Sequence, residues 1–131
     1  MSNKYQHLRP IVRLAFFAGL AGVLVLVLFP NPLDPALLGS DKGQHVIAFL
    51  VLSGLGRLGW SSGGWGIVFV LVALGGAIEL LQSIPIIARD TSLLDWLADS
   101  VGVLVGTLAA TAAMRVGLTS ARGGKRSDWL P

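Results

Sequence analysis

Apolar positions in this chain neither alternate nor recur on one face. They run nearly unbroken in four stretches, and the polar residues gather at their ends. The first stretch begins at Pro10, a favourable first helical residue, and continues through "IVRLAFFAGLAGVLVLVLF" to "PNPLDP", where a helix cannot continue. The second starts after Ser40, a good N-cap, and runs through "QHVIAFLVLSGLGRLGW" to the turn-forming "SSGG". The third extends from Trp65 through "GIVFVLVALGGAIELLQSI" to Pro85, and the fourth from Ser92 through "LADSVGVLVGTLAATAAM" to Arg115. Each approaches the roughly 20 residues that cross a bilayer core at a rise of about 1.5 Å per residue. The pattern predicts an all-α integral membrane bundle of four transmembrane helices, at about 10–29, 41–60, 65–84 and 92–115. Residues 1–115 then form a single domain, and 116–131 a flexible basic tail. A basic start before an apolar run also suits a signal peptide. This run is long for one, however, and no A-x-A site follows, so a span is expected.

Composition agrees, since 53% hydrophobic and 13% charged residues, with a mean hydropathy of +0.74, leave too little polar surface to clothe so small a soluble globule. The bilayer is therefore the expected partner. The basic pI is explained by topology rather than by nucleic acid, because the cations sit in the tails and beside the apolar runs. With no cysteine there can be no disulfide or thiolate metal site. Across four spans, Lys4, Arg9, Arg13, Arg57, Arg115, Arg122, Lys125 and Arg126 share one side, and Lys42 and Arg89 the other. That asymmetry places both termini in the cytoplasm of a cell whose inner membrane holds the protein. It also puts Asp34, Asp41, Glu79, Asp90, Asp95 and Asp99 at or just below the outer surface, with Asp128 inside. Trp60, Trp65 and Trp96 fall near helix ends, where interfacial anchors belong.

The outer acids occupy one shallow layer. Counted inward from the helix ends, His45 lies roughly 6 Å deep, Glu79 roughly 9 Å, and Asp95 and Asp99 about 5 and 10 Å. At about 100° per residue, Asp95, Asp99, Gly102 and Gly106 share a face of the fourth helix. The third helix repeats this pattern with Gly75, Glu79 and Gln82, and the second sets Asp41 and His45 one turn apart. The first offers only Ala15, Gly19 and Gly22. Small residues such as those of "GVLVG" allow membrane helices to approach closely, so these stripes are expected to face one another around a packed, poreless interior. An intramembrane carboxylate costs about 2.5–3.5 kcal/mol on insertion scales, which makes Glu79 and then Asp99 the leading functional candidates, with His45, Lys42 and Arg89 as cationic partners. Simpler roles compete with function. "SLLD" matches a capping box made by Ser92 and Asp95, Asp90 and Asp41 favour helix N-termini, and Lys42 and Arg89 can snorkel. His45 and Gln82 can act as interhelical hydrogen-bonding glue, and Arg57 as a topology determinant.

"DKGQHVIAF" and "GGAIELLQSIPIIARDTSLLDWLADSVGVLVG", with the spacing between them, resemble the VanZ-like family of small multi-pass membrane proteins. The resemblance covers about 41–106, and the family pattern falls on Asp41, Lys42, His45, Glu79, Gln82, Arg89, Asp95, Gly102 and Gly106. Its founding member is associated with resistance to the glycopeptide teicoplanin, so the resemblance implies a cell-envelope and antibiotic-resistance role but no defined reaction. Many relatives have an acid where this chain has Ile78, and Asn where it has Asp99. Three readings of the layer follow. In the first, an enzyme acts at the outer leaflet on a lipid-linked envelope precursor, with Glu79 as acid or base, His45 as its partner, Asp41 and Asp95 as further catalytic candidates, and Lys42 and Arg89 clamping phosphate. Gln82 and Asp99 complete its binding set, while Gly75, Gly102 and Gly106 pack the helices. In the second, a module binds an amphiphile or antibiotic without chemistry. In the third, the polar layer is purely structural and fixes helix register. His45, Glu79, Asp95 and Asp99 could supply nitrogen and oxygen ligands, but they form no close metal motif, so neither metal nor cofactor is expected. Oligomeric state is not legible.

Overall fold

A computed structural model describes residues 7–28, 41–60, 64–84 and 92–124, and the fold is all-α. Among the described residues there are four helices: α1 (Arg9–Leu28), α2 (Asp41–Gly59), α3 (Gly64–Gln82) and α4 (Leu93–Gly124). The first three match the apolar stretches to within about two residues, the usual uncertainty of a helix end. The fourth does not stop at Arg115. Between Val116 and Arg122 the only weak helix former of the glycine or proline class is Gly117, so α4 continues to the Gly123–Gly124 pair. Residues 116–124, expected as flexible tail, are helical, and the rest of that tail lies outside the described residues.

Contacts between helices fix their directions. Arg13 meets Gly59 and Gly19 meets Leu52, so α1 and α2 are antiparallel; Gly56 meets Ile67, so α2 and α3 are too. Glu79 meets Ser92 and Gly75 meets Asp99, which makes α3 and α4 antiparallel. His45 pairs with Asp99 and Arg57 with Thr111, so α2 and α4 run parallel. The start of α2, the end of α3 and the start of α4 therefore share one end of the bundle, where the ionisable layer was expected.

Three helices are long and apolar enough to cross a membrane: α1 over Arg9–Leu26, α3 over Trp65–Gln82 and α4 over Leu93–Val116. The exception, α2, carries Asp41, Lys42, Gln44, His45 and Arg57. It is nevertheless the central helix, packed against all three others and most extensively against α4. The least apolar element is thus the one most enclosed by protein. Around the outside, Phe69 and Leu80 are each 73% exposed, with Leu14, Leu108 and Val116 similarly bare, a surface consistent with a membrane protein. The interior core joins Phe16, Phe49, Leu52, Val68, Leu71, Ile78 and Val103.

Glycines bring α2 and α4 into backbone contact. A Cβ at Gly102 would collide with the carbonyl oxygen of Val46 and lie 3.1 Å from the Leu50 nitrogen; one at Gly106 would collide with the Leu50 carbonyl and Ser53 Oγ. These are mainly backbone atoms, which cannot swing aside. Buried Ser53 donates to Leu50 O at 3.1 Å and reaches Gly102 O at 3.5 Å, so its hydroxyl is satisfied inside the seam. On α1 the expected small-residue face is only partly used. Gly19 packs on Leu52, but Ala15 is exposed and nothing lies within 4 Å of a Cβ at Gly22. There Phe16, Leu20, Val23 and Leu24 make the packing instead.

Trp60, Trp65 and Trp96 behave differently from one another. Trp65 is 73% exposed, as an interfacial anchor would be. Trp60 packs edge-to-face on Phe16 and Phe17 and lies 5.0 Å beneath the Arg13 guanidinium, while Trp96 turns inward to α3. Substituting Gly106→Ala should destabilise the bundle by about 1–3 kcal/mol, the range for overpacking. Gly22→Ala should leave stability unchanged or raise it by up to about 1 kcal/mol through helix propensity. Thermal unfolding of the two variants in detergent measures the contrast.

Candidate functional site: an ionisable layer at one end of the bundle

Three helices contribute charge to the end where α2 and α4 begin and α3 stops. His45 lies one turn into α2, and its Nδ1 is hydrogen-bonded to Asp99 Oδ1 at 2.9 Å across the α2–α4 seam, the ring nitrogen donating when Asp99 is a carboxylate. Asp99 is fully buried and the His45 side chain is only 13% exposed. The bond is short and shielded from water. Donation from Nδ1 leaves the lone pair of a neutral imidazole on Nε2. This is the geometry by which a carboxylate orients a basic histidine, although here it also joins two helices.

Gly75 makes room for Asp99. A Cβ at that position would stand 2.8 Å from Asp99 Oδ2 and 3.3 Å from Trp96 Cδ1, so α3 can approach α4 only because the side chain is missing. Trp96 fills the adjoining notch over Gly76 and donates its indole N–H to Val72 O at 3.0 Å. A backbone carbonyl thereby satisfies the polar edge of a largely buried ring.

One turn towards the helix start, buried Asp95 faces Lys42 rather than the α4 backbone. Lys42 Nζ lies 3.6 Å from Asp95 Oδ1, beyond hydrogen-bond length, and the lysine side chain is 56% exposed. The ammonium is solvated while its partner is not. The expected capping box is thus not formed from its own segment: neither the Ser92 hydroxyl nor the Asp95 carboxylate makes its side-chain bond among the described contacts. Ser92 is the N-cap, since its carbonyl accepts from Asp95 N at 2.8 Å and Trp96 N at 3.3 Å. The carboxylate that accepts from Ser92 N–H is Glu79 Oε2, at 2.8 Å, supplied by α3. A capping box ordinarily uses Glu or Gln at the third helical position, and the aspartate found there has a shorter reach.

Glu79 thus has a structural task that sequence reasoning missed: it ties the end of α3 to the start of α4. Its second oxygen, Oε1, is buried without a hydrogen-bond partner, as are Asp95 Oδ1 and Asp99 Oδ2. Gln82 is buried at the end of α3. The layer therefore brings together His45, Glu79, Asp95, Asp99 and Lys42, with Gln82 at its edge. Its pairings are His45 with Asp99 and Glu79 with a backbone amide; sequence reasoning offered His45 to both acids and, in the enzyme reading, to Glu79. The Asp41 side chain and the whole of Arg89 and Asp90 lie outside the described residues. Among the described residues no three His, Asp or Glu side chains group closely enough to hold a metal ion.

At the opposite end Arg57 is more than a charge outside a span: its Nε donates to Thr111 Oγ1 at 3.1 Å. This contact falls the same distance along both helices from the His45–Asp99 pair, and that common register is the signal by which it could have been found. Arg13 similarly donates to Gly59 O at 3.1 Å, where α2 ends and its carbonyls lack helical partners.

Replacing His45 alone leaves a buried carboxylate without its partner, a change that costs about 3–5 kcal/mol. His45→Ala should therefore destabilise the bundle by that amount. The double variant His45→Ala/Asp99→Asn should recover a substantial part of the loss, because it removes the stranded charge. Unfolding of both in detergent tests the coupling; equal losses in the two variants would argue against the pair.

Comparison of the chain with protein-family models, with curated proteins and with solved structures finds no match, so the roles assigned to these residues rest on geometry and sequence pattern alone.

Proposed function

We propose that this chain is a VanZ-like, four-span protein of the cell (inner) membrane, with cytoplasmic termini. Its outward-facing polar site binds or acts on a lipid-linked cell-envelope component or another amphiphile. The observation that carries the reading is the ionisable layer itself: His45, Glu79, Asp95, Asp99 and Lys42, from three helices, gathered at one end of an otherwise apolar bundle. Intramembrane charge is expensive, and it persists where function requires it. The alternating helix directions support four spans, since α2 lies antiparallel to two helices that are apolar enough to cross. The cation asymmetry supports the orientation. Within the site, Asp99 orients His45 as a base or binding group, and Lys42 stands at the exposed rim. The resemblance of 41–106 to the VanZ-like pattern adds the envelope context and with it a role in antibiotic resistance.

A structural reading has its own support, because Glu79 caps α4 and His45 joins α2 to α4 whether or not a ligand binds. In that reading the protein is non-catalytic and its polar layer fixes helix packing.

Native mass spectrometry of the protein extracted with its lipids separates the two readings. The parent should carry a specific co-purifying amphiphile that His45→Ala and Glu79→Gln lose; identical spectra for all three would favour the structural role. Topology can be checked in the same cysteine-free background. Lys42→Cys should react with a membrane-impermeant thiol reagent added outside intact cells, whereas a cysteine at Lys125 should react only after lysis.

A further inference from the structure

Resting on the reading of this layer as a ligand site, we propose that the group it receives is a primary ammonium, the headgroup chemistry of an aminophospholipid, and that Lys42 is a tethered ammonium which the ligand displaces. The layer is rich in unmet acceptors. Asp95 Oδ1, Asp99 Oδ2 and Glu79 Oε1 are all buried and reached by no hydrogen-bond donor, and Asp95 and Asp99 are 5% and 0% exposed. Buried acceptors of this kind are costly, and only a donor relieves them. Phosphate offers acceptors and further negative charge, so it would worsen both deficits.

Charge points the same way. In the proposed topology the outer side holds six carboxylates, Asp34, Asp41, Glu79, Asp90, Asp95 and Asp99, against Lys42 and Arg89. A cation with N–H donors meets both demands. A divalent metal does not, because the described carboxylates and histidines form no group of three able to hold one. A quaternary ammonium brings charge but no N–H to donate.

Lys42 identifies where the ligand enters. Its ammonium is the same chemical group, placed 3.6 Å from Asp95 Oδ1 and mostly exposed. Such a pairing is weak, so exchanging it for a better-seated ammonium costs little. An incoming group meets Asp95 first, with Asp99 one turn deeper on the same face of α4.

The two readings of Lys42 predict opposite signs. The full-length protein is placed in nanodiscs of phosphatidylcholine doped with either phosphatidylethanolamine or phosphatidylglycerol, and retained lipid is read by native mass spectrometry. Phosphatidylethanolamine should be retained over the other two. Asp95→Asn should weaken that retention about tenfold, the equivalent of one charge-assisted hydrogen bond, and Lys42→Gln should strengthen it. Free ethanolamine is then added to the detergent-solubilised protein. Competition shows that the ammonium alone suffices, and no competition shows that the lipid is its source; either result supports the proposal. Preference for phosphatidylglycerol, equal retention of phosphatidylcholine, or loss of phosphatidylethanolamine in Lys42→Gln would overturn it. If His45→Ala strips bound lipid while Asp95→Asn does not, the ammonium assignment falls and the site stands. If no lipid class is selected and His45→Ala changes nothing, both fall. The exposed Lys42 keeps the test decisive even if Asp95→Asn fails to fold.

Discussion

The backbone contact of α2 and α4 at Gly102 and Gly106 is the constraint on which the rest of the bundle depends. Lipid supplies no hydrophobic drive for helices to associate, so close packing and interhelical hydrogen bonds must do so. A side chain at either glycine would meet backbone atoms of Val46 or Leu50, so the seam has one depth and one register. That register sets His45 opposite Asp99, Lys42 opposite Asp95 and Arg57 opposite Thr111. The polar pairs are consequences of the close approach. They also reinforce it, because a slip along the seam would strand a buried carboxylate.

Why the most polar helix lies in the centre follows from the same cost. α2 carries charge near both ends and would be a poor surface to offer lipid. Packed against α1, α3 and α4 but with Ile47 and Val51 still exposed, it exchanges part of its outer surface for protein contacts, and its polar side chains find partners on α4. α1, by contrast, has few polar groups within its span and leaves most of its surface bare. Polarity and centrality rise together, and each makes the other tolerable.

Much of this was legible in the sequence, and what was not has physical reasons. Length and hydropathy located the helices, and residue spacing put Asp95, Asp99, Gly102 and Gly106 on one face, where they are all buried. Pairing could not be read the same way, because periodicity fixes which residues share a face but not the axial offset between two helices. Hence His45, Lys42 and Arg89 were offered to Glu79 and Asp99 alike, and only the structure gives His45 to Asp99. Glu79 looked like a buried acid without a structural excuse because its partner, Ser92 N–H, is a backbone donor with no sequence signature. Trp96 looked like an interfacial anchor because the notch that admits it is an absence, the missing side chains of Gly75 and Gly76. α4 outran its expected end because polarity alone does not stop a helix.

The same accounting of hydrogen bonds separates what holds this layer together from what leaves it unfinished. Each of the three carboxylates has a buried oxygen without a hydrogen-bond donor, and two of them commit the other to structure: Glu79 Oε2 to the cap of α4 and Asp99 Oδ1 to His45. A layer evolved only to fix register could use neutral side chains that satisfy one another fully, at less cost than burying acids. An Asn at position 99 would still offer a carbonyl to His45 Nδ1–H, so this hydrogen bond alone does not require a carboxyl group there. Unmet acceptors beneath a weakly held lysine are the observations on which the proposed ammonium site rests. The structural pairs hold those acceptors in place, so that a ligand at the proposed site would find them already organised.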